Sequence, residues 1–372
     1  MALKSIAFHL NCLCQGGAER VVSNLANQFA AEGYTVYIAT EWYDENEFAL
    51  DPRVRRIHVG LKESDEKKNR IAKFFLRIRY LKQFLAEYRP DVLVAFAQRA
   101  NYRALMAGGN GRIPVVISIR TDPVGHYDSF SDKMQIRTLF PKAAGCVFQT
   151  QRQKAFFKPY LQDNSTIILN PVNPKYVGIP APAVREKSVV HHARLVDFKN
   201  QPMLCRAFVK VHEKHPDYVL KIYGPDSFDG TKEILDRIIR ENHAENWILL
   251  MGGSDSLEKE LTKGAVYAFS SDWEGLPNSL MEAMALGMPC VATDCPCGGP
   301  AEIIEDGRNG LLVPIKDPDA LADGICRLIE DRELAERLGA EARKIEERCS
   351  AEVIFRQWRD YLEHVIAVYH GN

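Results

Sequence analysis

The chain lacks a surplus of either charge: 48 Lys+Arg stand against 49 Asp+Glu in 372 residues, a formal net charge of −1. A dedicated nucleic-acid binder carries a basic surplus, so no nucleic-acid partner is expected. No apolar run is long enough to span a bilayer. Residues 1–10 hold no apolar signal core and read directly into a strand, which points to the cytoplasm. The nine cysteines are an odd, scattered set, and free thiols in a reducing compartment are the expectation. Two Cys-x-Cys pairs, Cys12/Cys14 and Cys295/Cys297, lack the Cys-x2-Cys spacing of zinc sites, so no metal is expected there.

What is present is an ordinary globular balance, 46% hydrophobic and 26% charged. The length exceeds what one core serves, so two domains are expected. Apolar runs at 5–10, 35–39, 92–96, 115–119, 145–149 and 166–169 read as strands. Helical periodicity covers 18–32 and 69–88. Residues 170–184 hold Pro171, Pro174, Pro180 and Pro182 and read as a linker. The alternation then restarts, with strands at 188–192, 218–223, 247–251, 266–270, 289–293 and 310–313. Helices follow at 201–214, 231–242, 256–263, 279–286, 318–330, 333–347 and 351–369.

This pattern predicts an α/β fold of two Rossmann-like domains facing across a deep cleft. The expected divisions are 1–172, a linker at 173–184, 185–350, and a C-terminal helix in 351–372 packing back on the first domain. Ligands in open parallel sheets sit at the carboxyl ends of the strands.

Three strand-to-helix loops carry candidate chemistry. Gln15-Gly16-Gly17-Ala18-Glu19 offers close backbone approach and free helix-start amides suited to an anion, or is simply a tight turn. It is neither Gly-x-Gly-x-x-Gly nor a Walker A loop. In 193–200, Arg194 and Lys199 stand at a strand end, where two cations can neutralise a diphosphate or remain a solvated pair. In 270–284, Glu274 sits in a Gly/Pro loop and Glu282 about one turn inside the following helix. Both carboxylates can accept hydrogen bonds from sugar or ribose hydroxyls. The alternative, a helix start enriched in acids, explains Glu282 poorly and Glu274 not at all.

Glu274 and Glu282, in Glu-Gly-Leu-Pro-Asn-Ser-Leu-Met-Glu-Ala-Met-Ala, resemble the signature of retaining family 4 glycosyltransferases of the GT-B fold. Gly16-Gly17-Ala18-Glu19, the Arg194…Lys199 pair and Gly298-Gly299-Pro300-Ala301-Glu302 match that family in the same order. The resemblance implies catalytic roles for Glu274, Arg194 and Lys199. It implies donor binding by Gly16, Gly17, Gly252, Gly275, Leu276, Asn278 and Glu282. It also implies that neither a cofactor nor a divalent metal is required. The one Asp-x-Asp, Asp317-Pro318-Asp319, reads as a helix cap.

The chain departs from the family twice. Ala193 stands where glycine usually precedes the phosphate-binding arginine, and Arg120-Thr121-Asp122 stands where many relatives have histidine. Arg120, or His126 six residues on, or neither, would touch the donor sugar or the acceptor.

Between 67 and 89 eight cations accompany Ile71, Phe74, Phe75, Ile78, Leu81 and Leu85, with Glu87 the only acid. Such a basic amphipathic helix reads as interfacial, with Lys73, Arg77 and Arg79 facing an anionic membrane or a lipid-linked acceptor. It reads equally as a lobe helix with solvated charges, and both can hold at once. The near-zero charge also hides an asymmetry: residues 1–172 hold 24 Lys+Arg and 16 Asp+Glu, the remainder 24 and 33.

Residues 120–123 and 293–302 resemble bacterial enzymes of polysaccharide or lipid-linked oligosaccharide synthesis, some of which transfer N-acetylgalactosamine. The resemblance thus implies a retaining hexosyl- or N-acetylhexosaminyltransferase with a UDP-sugar donor, cytoplasmic and peripheral on the inner face of the membrane. An epimerase or phosphorylase on the same fold would need its own acid/base set or a lysine placed for pyridoxal phosphate, and neither signature is present. A non-catalytic bilobal binding protein leaves the paired glutamates unexplained.

Overall fold

The computed structural model describes residues 3–14, 16–109 and 111–371. Met1, Ala2, Gln15 and Asn372, which the strand, loop and final-segment readings include, lie outside them. The chain divides into two compact units, Met1–Asn170 with Ala351–Asn372, and Pro171–Ser350.

The first unit is built on seven parallel strands: β1 Ser5–Leu10, β2 Thr35–Thr40, β3 Arg55–His58, β4 Val92–Phe96, β5 Val115–Ser118, β6 Gly145–Phe148 and β7 Ser165–Ile167. Their order across the sheet is β3-β2-β1-β4-β5-β6-β7. Helices cover both faces of such a sheet, so its central strands read as unbroken apolar runs. Val92–Phe96 is buried at every position.

Two kinds of element escape the periodicity. β3 is an edge strand of sequence RRIH, charged where it meets water. Its backbone pairs with β2, and Arg56 is ion-paired with Glu47. The helix Gln98–Gly108 buries polar Asn101, whose amide donates to the Ser118 carbonyl at 2.9 Å, so its inner face is not purely apolar.

The helix Ala351–Gly371 packs on the first unit although it follows the second in sequence. Trp358 is fully buried and stacks on Phe96 with ring centres 5.5 Å apart. Phe355 meets Phe29 at 4.7 Å. The Tyr361 hydroxyl accepts from the Cys146 amide at 2.8 Å, and a side chain on Gly145 would collide with it.

The second unit has six parallel strands: β8 Glu186–His192, β9 Val219–Tyr223, β10 Ile248–Gly252, β11 Gly264–Phe269, β12 Cys290–Thr293 and β13 Leu311–Val313. Their order is β10-β9-β8-β11-β12-β13. β8, β11 and β12 are neighbours and parallel, so the loops that leave their carboxyl ends lie side by side. Asp317 caps the helix Pro318–Glu330 by accepting from the Ala320 amide at 2.9 Å, and Asp319 is ion-paired with Lys210.

Residues 173–184, expected as a linker, group with the second unit. Tyr176 is buried there, and just before it the Val172 amide donates to the Cys349 carbonyl at 2.8 Å. One expectation is corrected: not all cysteines are free thiols, since Cys12 and Cys14 form a disulfide, their α-carbons 5.6 Å apart. The turn after β1 brings the two sulfurs together, which spacing tested against zinc motifs does not reveal.

Candidate active site

The loops after β8 and β11 are stitched into one surface. Asn200 takes a left-handed backbone at φ 47°, caps the helix Gln201–Lys214 through the Met203 amide, and donates to the Asp272 carboxylate at 2.8 Å. The Asp272 amide donates to the Phe198 carbonyl at 2.9 Å, and Ser270 donates to the Lys199 carbonyl at 2.9 Å. Phe198 and Trp273 stack with centres 4.2 Å apart.

On this frame the Lys199 ammonium is ion-paired with the Glu274 carboxylate, their side chains only 15% and 14% exposed. Ser271 donates to the same carboxylate at 3.3 Å. A partly desolvated ion pair is held more firmly than one in water, so both heads point in fixed directions. Arg194 is different: it is exposed, and its guanidinium makes no ion pair or hydrogen bond among the described residues. Only its carbonyl is engaged, by Gln201 at 2.9 Å. Ala193 is not among the residues with left-handed backbone, so alanine fits there without strain. Gly224, directly after β9, packs tightly against this loop: a Cβ there would meet the Ala193 carbonyl oxygen at 1.8 Å.

Gly275 lies against the next loop. A Cβ on Gly299 would meet the Gly275 carbonyl oxygen at 1.9 Å, so only glycine fits position 299. Leu276 is buried, and only its backbone can face a ligand. The helix Asn278–Ala285 begins directly after, and its first amides have no acceptor within the helix. Glu282 sits one turn in and is buried, its carboxylate 3.0 Å from His192 Nε2. Sequence reading missed that partner. Gly252 ends β10 at φ +69° with open space where a side chain would stand, so its glycine serves backbone conformation. Cys295 donates to the Ser271 carbonyl at 3.3 Å, and burial beside Glu274 and Cys297 raises its thiol pKa, leaving it inert.

In the first unit, Gly16 caps the helix Gly17–Ala31 with an extended backbone, and the Glu19 carboxylate fills the space beside it. Arg120 does not stand open in a loop. Its guanidinium lies over the rings of Phe96 and Trp358 at 4.7 and 5.5 Å, and donates to Asn170 at 3.0 Å. Burial lowers its pKa to about 9. His126 ends a short helix, half-buried, with its carbonyl accepting from Gln98 at 2.6 Å.

In the helix Arg70–Tyr88, Ile78, Leu81, Phe84 and Leu85 face the core while Ile71 and Phe75 are 71% and 62% exposed. Arg79 is exposed and Lys73 half-buried, but Arg77 is not a free cation: Glu41 holds it at 3.0 Å. Among the described residues one set of donors could hold a metal ion, His215, Cys326 and Glu330. His215 leads into the amino end of β9, whereas the loops above leave carboxyl ends.

Two family models divide the chain between them. Residues 15–176 match the model described as Glycosyltransferase Family 4, and residues 175–345 the one described as Glycosyl transferases group 1. The chain belongs to glycosyltransferase family 4.

Individual relatives agree with that placement. A Campylobacter jejuni N-acetylgalactosamine-N,N'-diacetylbacillosaminyl-diphospho-undecaprenol 4-alpha-N-acetylgalactosaminyltransferase is 27% identical over 351 residues, 89% of this chain and 92% of that one. An exopolysaccharide phosphotransferase of Streptomyces coelicolor is 34% identical over 190 residues, 50% of this chain but only 20% of that protein. The crystal structure of Anabaena HepE in complex with UDP superposes with a TM-score of 0.81 at 19% identity, covering 97% of this glycosyltransferase and 100% of HepE. At that identity the likeness speaks to the GT-B fold alone.

Proposed function

We propose that this glycosyltransferase moves a hexose or N-acetylhexosamine from a UDP-sugar to a hydroxyl of a glycan or lipid-linked oligosaccharide, with retention at the anomeric carbon. The observation that carries the reading is the Lys199–Glu274 pair beside the amino-terminal end of the helix Asn278–Ala285, with the Arg194 guanidinium, unpaired among the described residues, on the adjoining loop. Two cations and a helix start suit a leaving diphosphate, and the Glu274 carboxylate suits a sugar hydroxyl. The names of two similar proteins support the donor and acceptor: one is a 4-alpha-N-acetylgalactosaminyltransferase acting on a diphospho-undecaprenol, the other was crystallised with UDP.

The chemistry balances without a metal. The bond from the sugar's anomeric carbon to the phosphate oxygen breaks, and Arg194 and Lys199 take up the charge that builds on that oxygen. The acceptor oxygen attaches on the same face, and its proton passes to a donor phosphate oxygen. Glu274 and the amides of Gly275, Leu276 and Asn278 hold the sugar, and Glu282 holds the ribose. Gly16 and Gly17 keep their assignment to the donor from the family likeness. Arg120, whose guanidinium lies over two rings, and His126 keep their place as candidates for the sugar or the acceptor.

The enzyme works in the cytoplasm on an inner membrane face, which the exposed Ile71 and Phe75 among basic residues favour. No helix among the described residues is long and apolar enough to cross a membrane. The test is a panel of UDP-, GDP- and dTDP-sugars with undecaprenyl-diphosphate-linked glycans in EDTA, read as the mass of the acceptor. A gain of one hexose or N-acetylhexosamine from a UDP-sugar is expected. Transfer only after Mg2+ or Mn2+ is added, or only from another nucleotide, overturns the corresponding part.

A further inference from the structure

We propose that His192 is a positioning residue for Glu282, and that the pair sets the preference of the donor site for a nucleotide with an intact ribose. This rests on the reading of Glu282 as the ribose ligand. His192 is the last residue of β8, and Glu282 lies 90 positions later in the helix Asn278–Ala285. Imidazole Nε2 and carboxylate Oε2 are 3.0 Å apart, with the two side chains 10% and 6% exposed. A carboxylate this far from water turns toward whatever donor is fixed beside it.

The imidazole is well fixed. The Tyr267 ring meets it edge-on at 5.8 Å, and the Tyr176 ring lies parallel at 6.3 Å. Its Nδ1 is buried and has no partner among the described residues. A proton there would be an unsatisfied buried donor, so Nε2, which faces the carboxylate, is the ring nitrogen placed to donate. The Nε2 proton is given to Glu282 Oε2. A carboxylate has acceptor capacity on both oxygens, so one can be held by imidazole while the group still accepts from ribose hydroxyls. His192 thus fixes the rotamer in which Glu282 meets the ribose without touching the nucleotide itself.

The experiment is calorimetric titration of wild type, E282Q, H192F, H192Q and H192N with UDP and with 2′,3′-dideoxy-UDP. Wild type is expected to favour UDP by about 10-fold or more, the scale of a hydrogen bond to a charged group. E282Q and H192F lose most of that ratio. H192Q keeps it, because its terminal amide reaches where Nε2 stood, while the shorter H192N does not. That contrast between two polar variants separates positioning from packing, should H192F fail to fold. If E282Q loses the ratio and H192F or H192N keeps it, the His192 role is wrong and the ribose reading stands. If E282Q itself keeps the ratio, or wild type binds no UDP, the reading beneath it fails as well.

Discussion

Lys199 and Glu274, 75 positions apart, meet head to head where two neighbouring loops are bound together by Asn200, Asp272 and Ser270. In the proposed reaction the pair offers its ammonium to the diphosphate and its carboxylate to the sugar. K199A and E274A are each expected to lower kcat by about 10²–10³. The double variant should be little worse than either, because each partner orients the other. Steady-state UDP release measures this, and additive losses would mean that the two act independently.

Two buried histidines make the fold sensitive to acid. His9, in the first unit, has its pKa lowered to about 3 by burial and the nearby Arg103 charge. His191, in the second, is lowered to about 3 by burial, against a hydrogen bond to the Ala268 carbonyl. An unfolded imidazole titrates near 6.5, so between about pH 6.5 and 3 the unfolded chain binds protons that the folded chain refuses. Stability from this source is complete above about pH 6.5 and falls as pH drops toward 3. H191N can still donate to Ala268, and should flatten the dependence in the second unit by up to about 1.4 kcal/mol per pH unit. Urea unfolding at a series of pH values checks it, and an unchanged slope refutes it.

Trp358 ties the last helix to the first unit, fully buried against Phe96 and under the Arg120 guanidinium. W358A should destabilise that unit by about 3–5 kcal/mol. Hydrogen exchange should locate the loss in Ser5–Leu10, Val92–Phe96 and their neighbours, with amides of Glu186–His192 unaffected. Equal loss in both units would contradict the division.

Membrane contact is expected to depend on Ile71, Phe75, Lys73 and Arg79 rather than Arg77, whose guanidinium is held against Glu41, a carboxylate it shares with Arg103. Co-sedimentation with phosphatidylglycerol/phosphatidylcholine vesicles should fall several-fold in F75E and in K73E/R79E, and fall further with salt. Binding unchanged by these substitutions sinks the interfacial reading.

The residues legible in the sequence were those whose meaning lies within one loop. Arg194 and Lys199 are five positions apart, and Glu274 and Glu282 share one strand-loop-helix segment. Helix limits such as Gln201–Lys214 and Pro318–Glu330 followed from periodicity and caps. What the sequence hid are relations between distant positions. His192 reaches Glu282 only because β8 and β11 are neighbours, and Glu41 meets Arg77 only once β2 and a helix are packed. Arg55–His58 hid because an edge strand may carry charge without losing its backbone partners.

If Arg194 and Lys199 stabilise a diphosphate leaving a nucleotide sugar, UDP release from UDP-hexoses and UDP-N-acetylhexosamines in EDTA by wild type, R194A and R194K measures it most directly. Wild type is expected to release UDP, R194A to lose about 10²-fold or more, and R194K to recover only in part, since an ammonium cannot grip two oxygens as a guanidinium does. Undiminished release by a folded R194A enzyme would contradict it.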